Sequence, residues 1–149
     1  MAKELIVAVF DSVDIAGRAG RDFQNFAEKD IGFKIESGVL VQKDASGKLT
    51  VLEKESRSFW GTAIGAITGG LIGLLGGPVG AALGFAVGGG ALAEHEIRKM
   101  FDDDVVAAIS AKLASGSVAF ILEAQEASPF EVDNIVKGYG GSVFRKAYG

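Results

Sequence analysis

The stretch SFWGTAIGAITGGLIGLLGGPVGAALGFAVGGGALA, residues 58–93, contains no charged residue over 36 positions. Glycine returns at every fourth position within it, in two rows. The rows are Gly61, Gly65, Gly69, Gly73 and Gly77, and then Gly76, Gly80, Gly84 and Gly88. A spacing of four places each row on one face of a helix. Each glycine weakens an isolated helix by about 1 kcal/mol relative to alanine, so such rows are expected where helix backbones pack closely.

The sequence Gly76-Gly77-Pro78 interrupts this stretch near its middle and predicts two antiparallel helices, over residues 58–75 and 79–100, because proline is accepted only in the first turn of a helix. Neither helix has a polar face, and a helix that is apolar on all sides must be buried in protein or in lipid. We therefore predict that the glycine rows mediate oligomerisation. The predicted contact residues are Gly61, Gly65, Gly69, Gly73, Gly77, Gly80, Gly84 and Gly88.

The residues around the predicted hairpin bear on whether it enters a membrane. The turn at 75–79 carries no charge, so its tip would lie either inside a bilayer or in the dry centre of an oligomer. Aromatic residues and positive charges flank the stretch, as they do at the interface of a membrane with the cytoplasm. The predicted membrane-interface residues are Arg57, Phe59, Trp60, Arg98 and Lys99. A hairpin covered by its own domain is less favoured, because one small sheet would have to cover two apolar helices.

The sequence on either side of the hairpin predicts a small α+β domain. Apolar and alternating runs predict strands at 5–10, 33–43, 49–53, 117–123 and 143–146. Helices are predicted from residue 12 towards Gly32, from 102 to Gly116 and from 129 to Gly140, and each ends at glycine. The first two begin at a capping residue, and residues 128–131 predict a capping box with proline at the first helical position of the third. The order of elements resembles a ferredoxin-like (split βαβ) fold formed by 1–57 and 101–149, with the glycine-zipper hairpin 58–100 inserted.

Few residues suggest catalysis or ligand binding. The chain has no cysteine, and His95 is its only histidine. Neighbouring residues on a helix do not face one another, so His95 between Glu94 and Glu96 indicates a solvated flank rather than a metal site. Residues 102–104, all aspartate, are typical of a helix cap. We find no phosphate-binding loop, no acid/base pair and no cofactor motif, and we predict that the protein is not an enzyme.

Charge and the first residues bear on partners and location. The net charge is −4 and no stretch clusters basic residues, which argues against nucleic acid as a partner. The mean hydropathy, +0.30, is high for a soluble domain. The apolar run at 5–10 is too short for a signal peptide and follows Glu4 directly. We expect the soluble domain to be cytoplasmic.

Several segments together resemble one bacterial family. They are LIVAVFDS at 5–12, VQKDASGKL at 41–49, GGLIGLLGGPVG at 69–80, DDD at 102–104 and GSVFR at 141–145. The resemblance is to the DUF1269 family, whose members carry a glycine-zipper hairpin and the label of predicted membrane proteins. It implies a prokaryotic protein with a small α+β domain around a glycine-rich hairpin. It implies no reaction and no catalytic residue.

The function expected from the sequence is that of a non-enzymatic, self-assembling protein. Its partners would be further copies of itself and the lipid bilayer, with the hairpin at the cytoplasmic membrane. One alternative is a soluble ring or particle in the cytoplasm that buries the hairpins inside. Another is a sensor whose sheet binds a small ligand and whose hairpin responds.

Overall fold

A computed structural model describes residues 3–47, 49–52, 66–75, 101 and 103–148. Within them the chain is a mixed α+β protein. The strands are β1 (Lys3–Phe10), β2 (Phe33–Lys43), β3 (Leu49–Val51), β4 (Val118–Glu126) and β5 (Ser142–Ala147). The helices are α1 (Val13–Lys29), α2 (Ala66–Leu75), α3 (Asp103–Lys112) and α4 (Phe130–Gly138).

The five strands form one antiparallel sheet in the order β3-β2-β4-β1-β5. β4 therefore lies between β1 and β2, although it follows them by a long stretch of chain. In the middle of the sheet, Val7 is opposite both Ile121 of β4 and Phe144 of β5. An irregularity in β2 between Ile35 and Ser37 shifts its pairing with β4 by one residue. The sheet ends at β5 on one edge and at the short β3 on the other.

Helices cover both faces of the sheet, which explains why β1 is an apolar run without alternation. We call the side that carries α1 and α4 the front face, where Phe23 and Val136 pack on Ile6, Ala8 and Phe10. Phe23 meets Phe120 of β4 edge to face, with ring centroids 6.1 Å apart.

The opposite side, which we call the back face, carries α2 and α3. There Leu71 and Ile109 pack with Leu5, Val7 and Val9 in a second core. Because alternate residues of a strand point to opposite faces, β1 contributes to both cores. The side chains that form each core are almost entirely buried.

Local signals explain where several elements begin and end. Ser12 caps α1, and its Oγ accepts a hydrogen bond from the Ile15 N–H at 3.3 Å. Gly47 ends the β2–β3 turn with φ +84°, a conformation that favours glycine. The capping box expected at residues 128–131 is not formed. Instead Pro129 occupies the N-cap position, and the Phe130 N–H donates to Ser128 Oγ at 3.3 Å.

The structure confirms the α+β class and describes only part of the predicted hairpin. α2 lies within the first predicted hairpin helix. Residues 58–65 and 76–100, and with them the proposed division into two domains, lie outside the described residues. Among the helices that the structure describes, none is long enough and apolar enough to cross a bilayer.

Candidate functional site

The described part of the glycine-rich segment is buried. All six residues from Thr68 to Gly73 are buried, and Leu75 is 8 % exposed. Six consecutive residues make more than one and a half helical turns, about 3.6 residues each, so the middle of this helix is covered on all sides, while Ile67 and Leu74 nearer its ends are half-buried. The chain itself provides the cover, as an apolar helix requires.

α2 is buried in the core of the back face. Leu71 and Ile72 are fully buried there with Val39 of β2 and Ile121 of β4. Thr68 is only 2 % exposed, and its Oγ1 has no hydrogen-bond partner among the described residues. The first predicted hairpin helix therefore packs, in its described part, on the sheet of its own chain.

The predicted oligomerisation and membrane-interface residues are described only in part. Gly69 and Gly73 lie in α2, and both are buried. The remaining predicted oligomerisation glycines lie outside the described residues, namely Gly61, Gly65, Gly77, Gly80, Gly84 and Gly88. The same is true of His95 and of the predicted membrane-interface residues Arg57, Phe59, Trp60, Arg98 and Lys99.

A polar cluster that the sequence analysis did not predict surrounds Arg145 on the front face of β5. The Arg145 Nε donates a short hydrogen bond to Oε1 of Glu126 on β4, whose side chain is 2 % exposed. Its Nη1 donates to Asp133 Oδ1 on α4 at 2.6 Å. Its Nη2 donates to the Pro129 carbonyl at 3.2 Å. One guanidinium thus joins β5 to β4 and to the first turn of α4.

A third carboxyl group, that of Glu4, completes the cluster. Its Oε2 lies 3.9 Å from Arg145 Nε, is buried, and accepts no hydrogen bond from the described residues. Burial, together with a hydrogen bond and the negative charge of Glu126, raises the pKa of Glu4 to about 7, against the opposing effect of Arg145. A protonated Glu4 can donate to Glu126, which explains how two carboxyl groups remain close together.

The Arg145 cluster is built to hold elements together. Its guanidinium occupies the space between the carboxylates, where a cation ligand site would have to be. Across the described ranges, no group of three or more His, Cys, Asp or Glu side chains could hold a metal ion. The sequence did contain a signal for the cluster, since Glu4, Glu126 and Arg145 share the inward face of their strands with Ile6, Ala124 and Val143. A charged residue at an inward position indicates a paired charge.

A smaller polar group lies on the back face at the same end of the sheet. Ser37 Oγ donates to Glu123 Oε2 at 2.6 Å. Burial and the nearby carboxylates of Glu123 and Glu36 raise the pKa of Tyr148 to about 12. Gln125 Nε2 donates to Glu36 Oε1 at 2.9 Å. These contacts satisfy polar side chains where the apolar core ends.

An open groove of about 270 Å³ lies on the surface between the end of α1 and the start of β2. Its lining residues are Gln24, Ala27, Glu28, Phe33, Lys34 and Ile35. The exposed Ile31 lies in the turn that joins these two elements. The lining combines apolar side chains with one acidic residue, Glu28, and one basic residue, Lys34, so it indicates no class of ligand.

Comparison with known proteins gives one result. The profile of a family described as "Protein of unknown function (DUF1269)" matches residues 59–148, which is more than half of the chain. The match begins at the glycine-rich segment and runs through α3, β4, α4 and β5. No curated protein and no solved structure shows a significant match. The match to the family profile confirms the resemblance seen in the sequence, and the chain belongs to the DUF1269 family.

Proposed function

We propose that this protein is a non-enzymatic, self-associating protein whose copies contact one another through the glycine-rich segment 58–93. The observation that carries the proposal is the spacing of glycine at every fourth position over 36 residues without a charge, which favours close contact between helix backbones. The same four-residue glycine spacing continues on both sides of α2. We infer that the rest of the uncharged segment, 58–65 and 76–93, contacts neighbouring copies.

Two environments are compatible with this association, and the burial of α2 favours one of them. A helix that packs on protein in its described part supports an assembly held by protein contacts, with the glycine rows in its dry interior. Membrane association is the second candidate. It is supported by the absence of charge over 58–93 and by the flanking residues Arg57, Phe59, Trp60, Arg98 and Lys99.

The finer fold belongs to the same proposal. We infer a ferredoxin-like arrangement in which β1, α1 and β2 are followed by β4, α4 and β5, with the chain from β3 to α3 inserted. The position of β4 between β1 and β2, and of β5 beside β1, supports this assignment. In this assignment β3 and α3 belong to the insertion, so the insertion is larger than the hairpin 58–100 predicted from the sequence, and its helix α2 packs on the sheet.

A matched set of leucine substitutions tests the proposed contact. Gly84→Leu places a bulky side chain in the second glycine row and should reduce the size of the assembly, measured by light scattering of the untagged protein. Gly17→Leu is the control, because Gly17 lies in α1 and a Cβ there meets nothing within 4 Å. Gly73→Leu reports on α2 itself and should also lower the stability of the domain. An assembly of unchanged size in Gly84→Leu would contradict the proposal.

A further inference from the structure

β5 is an edge strand, and its pairing with β1 shows which of its backbone groups are still available. The Tyr148 N–H donates to the Lys3 carbonyl at 2.9 Å, and Val7 is opposite Phe144 in the same register. In an antiparallel pair, residues that exchange both hydrogen bonds alternate with residues that exchange none. Phe144 therefore bonds to β1. The residues whose N–H and C=O groups point away from β1 are Val143, Arg145 and Ala147.

These outward groups form a free edge of the sheet. Within the described part of the chain no strand lies beyond β5, while the opposite edge, β3, has three residues. β5 has six residues, and each from Ser142 to Lys146 is half-buried. A charged side chain commonly protects such an edge. Here the Arg145 side chain is held on the front face by Glu126 and Asp133, which leaves Lys146 as the other charged side chain of this edge strand.

We propose that β5 pairs with β5 of a second copy of this chain, antiparallel about a two-fold axis that passes through Phe144. A two-fold axis places the same strand on both sides of the interface, so the strand edge must be complementary to itself. About this axis Val143 exchanges hydrogen bonds with the partner's Arg145, and Arg145 with the partner's Val143. The two sheets then become one continuous sheet of ten strands.

The charges of β5 favour this register over the one whose axis passes through Arg145. An axis through Arg145 would also align outward backbone groups, but it places Arg145 opposite the partner's Arg145, and directly opposed like charges are destabilising. The axis through Phe144 places Phe144 opposite the partner's Phe144 in a close, non-hydrogen-bonded pair. Aromatic pairs of this kind stabilise a sheet. Lys146 then lies opposite the partner's Ser142, and no two like charges are opposed.

This interface uses a surface separate from the glycine-rich segment. It shares with the proposed function the idea that the chain associates with itself, but it requires no contact between glycine rows. The two can therefore fail independently, and the experiment is designed to separate them.

The absence of cysteine from the chain allows a direct test by cross-linking. In the proposed register Ser142 and the partner's Lys146 form a non-hydrogen-bonded pair, whose Cβ atoms lie about 4.5–5.5 Å apart, close to what a disulfide requires. The full-length double variant Ser142→Cys/Lys146→Cys should form a disulfide-linked dimer under mild oxidation, seen on a non-reducing gel. Each single variant should remain monomeric on that gel. It has one cysteine in each copy, and in the proposed register four residues of strand, about 13 Å, separate the cysteines of the two copies.

Two further variants make the outcome decisive. Val143→Pro removes one outward N–H while it leaves every β1–β5 hydrogen bond, and it should abolish the cross-link. Val143→Thr keeps that N–H and should preserve the cross-link. In a Gly84→Leu background the cross-link should persist even where the larger assembly is lost. Equal cross-linking in the single and double variants, or a cross-link that survives Val143→Pro, would overturn the pairing.

Discussion

Arg145 Nη1 of β5 donates to Asp133 Oδ1 of α4 over 2.6 Å, and the same guanidinium donates to the buried Glu126 of β4. Arg145 thus links β5 to β4, two strands away in the sheet, and to α4, the helix that precedes β5 in the chain. Asp133 lies in the first turn of α4, where a negative charge also suits the helix dipole.

Removal of the guanidinium should destabilise the fold. Arg145→Met keeps much of the aliphatic stem but leaves Glu126 buried without its charge partner. Breaking a buried pair from one side typically costs about 3 kcal/mol. Urea unfolding should show a loss of that order, whereas the exposed Lys112→Met should change stability by less than about 0.5 kcal/mol. Equal effects of the two substitutions would show that the cluster contributes nothing.

The raised pKa of Glu4 makes stability depend on pH in a definite direction. Because the pKa of Glu4 is about 7 in the folded chain and lower when unfolded, the folded state binds the extra proton between these values. The contribution of Glu4 is complete below its unfolded pKa and is lost as pH rises through about 7. The urea midpoint should therefore fall more between about pH 5 and about pH 8 in the wild type than in Glu4→Gln.

A suitable control for the pH experiment is Glu28→Gln, because Glu28 is exposed at the end of α1, away from the Arg145 cluster. It should keep the pH dependence of the wild type. A Glu4→Gln variant with the same pH dependence as the wild type would contradict the assignment of the proton to Glu4.

Gly141 should tolerate no side chain. A Cβ at this position would lie 2.7 Å from the Val9 carbonyl oxygen and 2.8 Å from the Phe10 ring. Gly141→Ala should therefore lower the free energy of unfolding by about 2 kcal/mol, since packed cores resist added volume. Gly138→Ala in α4 is the matched control, because its Cβ meets nothing within 4 Å. Gly138→Ala should stabilise the helix by up to about 1 kcal/mol. Thermal melts of both variants measure the two effects, and a Gly141→Ala variant that is as stable as Gly138→Ala would contradict the prediction.

A side-chain hydrogen bond links α1 to the C-cap residue of α4. The Tyr139 hydroxyl donates to Asp22 Oδ2 of α1 at 2.7 Å, and this bond, with burial, raises the pKa of Tyr139. Tyr139→Phe should cost about 1 kcal/mol in chemical unfolding. In an Asp22→Asn background the cost should be smaller. Purely additive effects of the two substitutions would indicate that the bond does not stabilise the protein.

Local patterns in the sequence predicted much of the fold. The β-branched run at 5–10, the bounds of β2 and the turn at Gly47 are confirmed, because each depends on residues close together in the chain. β4 extends to Glu126, beyond the predicted 123, because Ala124 and Glu126 still point inward after the apolar alternation ends.

The order of strands and the Arg145 cluster depend on contacts between distant segments. Nothing near β4 in the sequence indicates that it lies between β1 and β2. Glu4, Glu126 and Arg145 meet only because this strand order aligns their inward faces. In the sequence Glu123, Glu126 and Glu131 predict no acid/base pair, and nothing near Glu126 indicates that its partner is Arg145 of the last strand.

The most direct test of self-association through the glycine-rich segment is the mass of the untagged wild-type protein, measured by light scattering without detergent in both the soluble and the membrane fraction. The account predicts a defined soluble species several times heavier than the 15.4 kDa chain. Protein confined to membranes, and released as an oligomer only by detergent, would place the same contacts in lipid. A single monodisperse monomer in the soluble fraction would contradict the account.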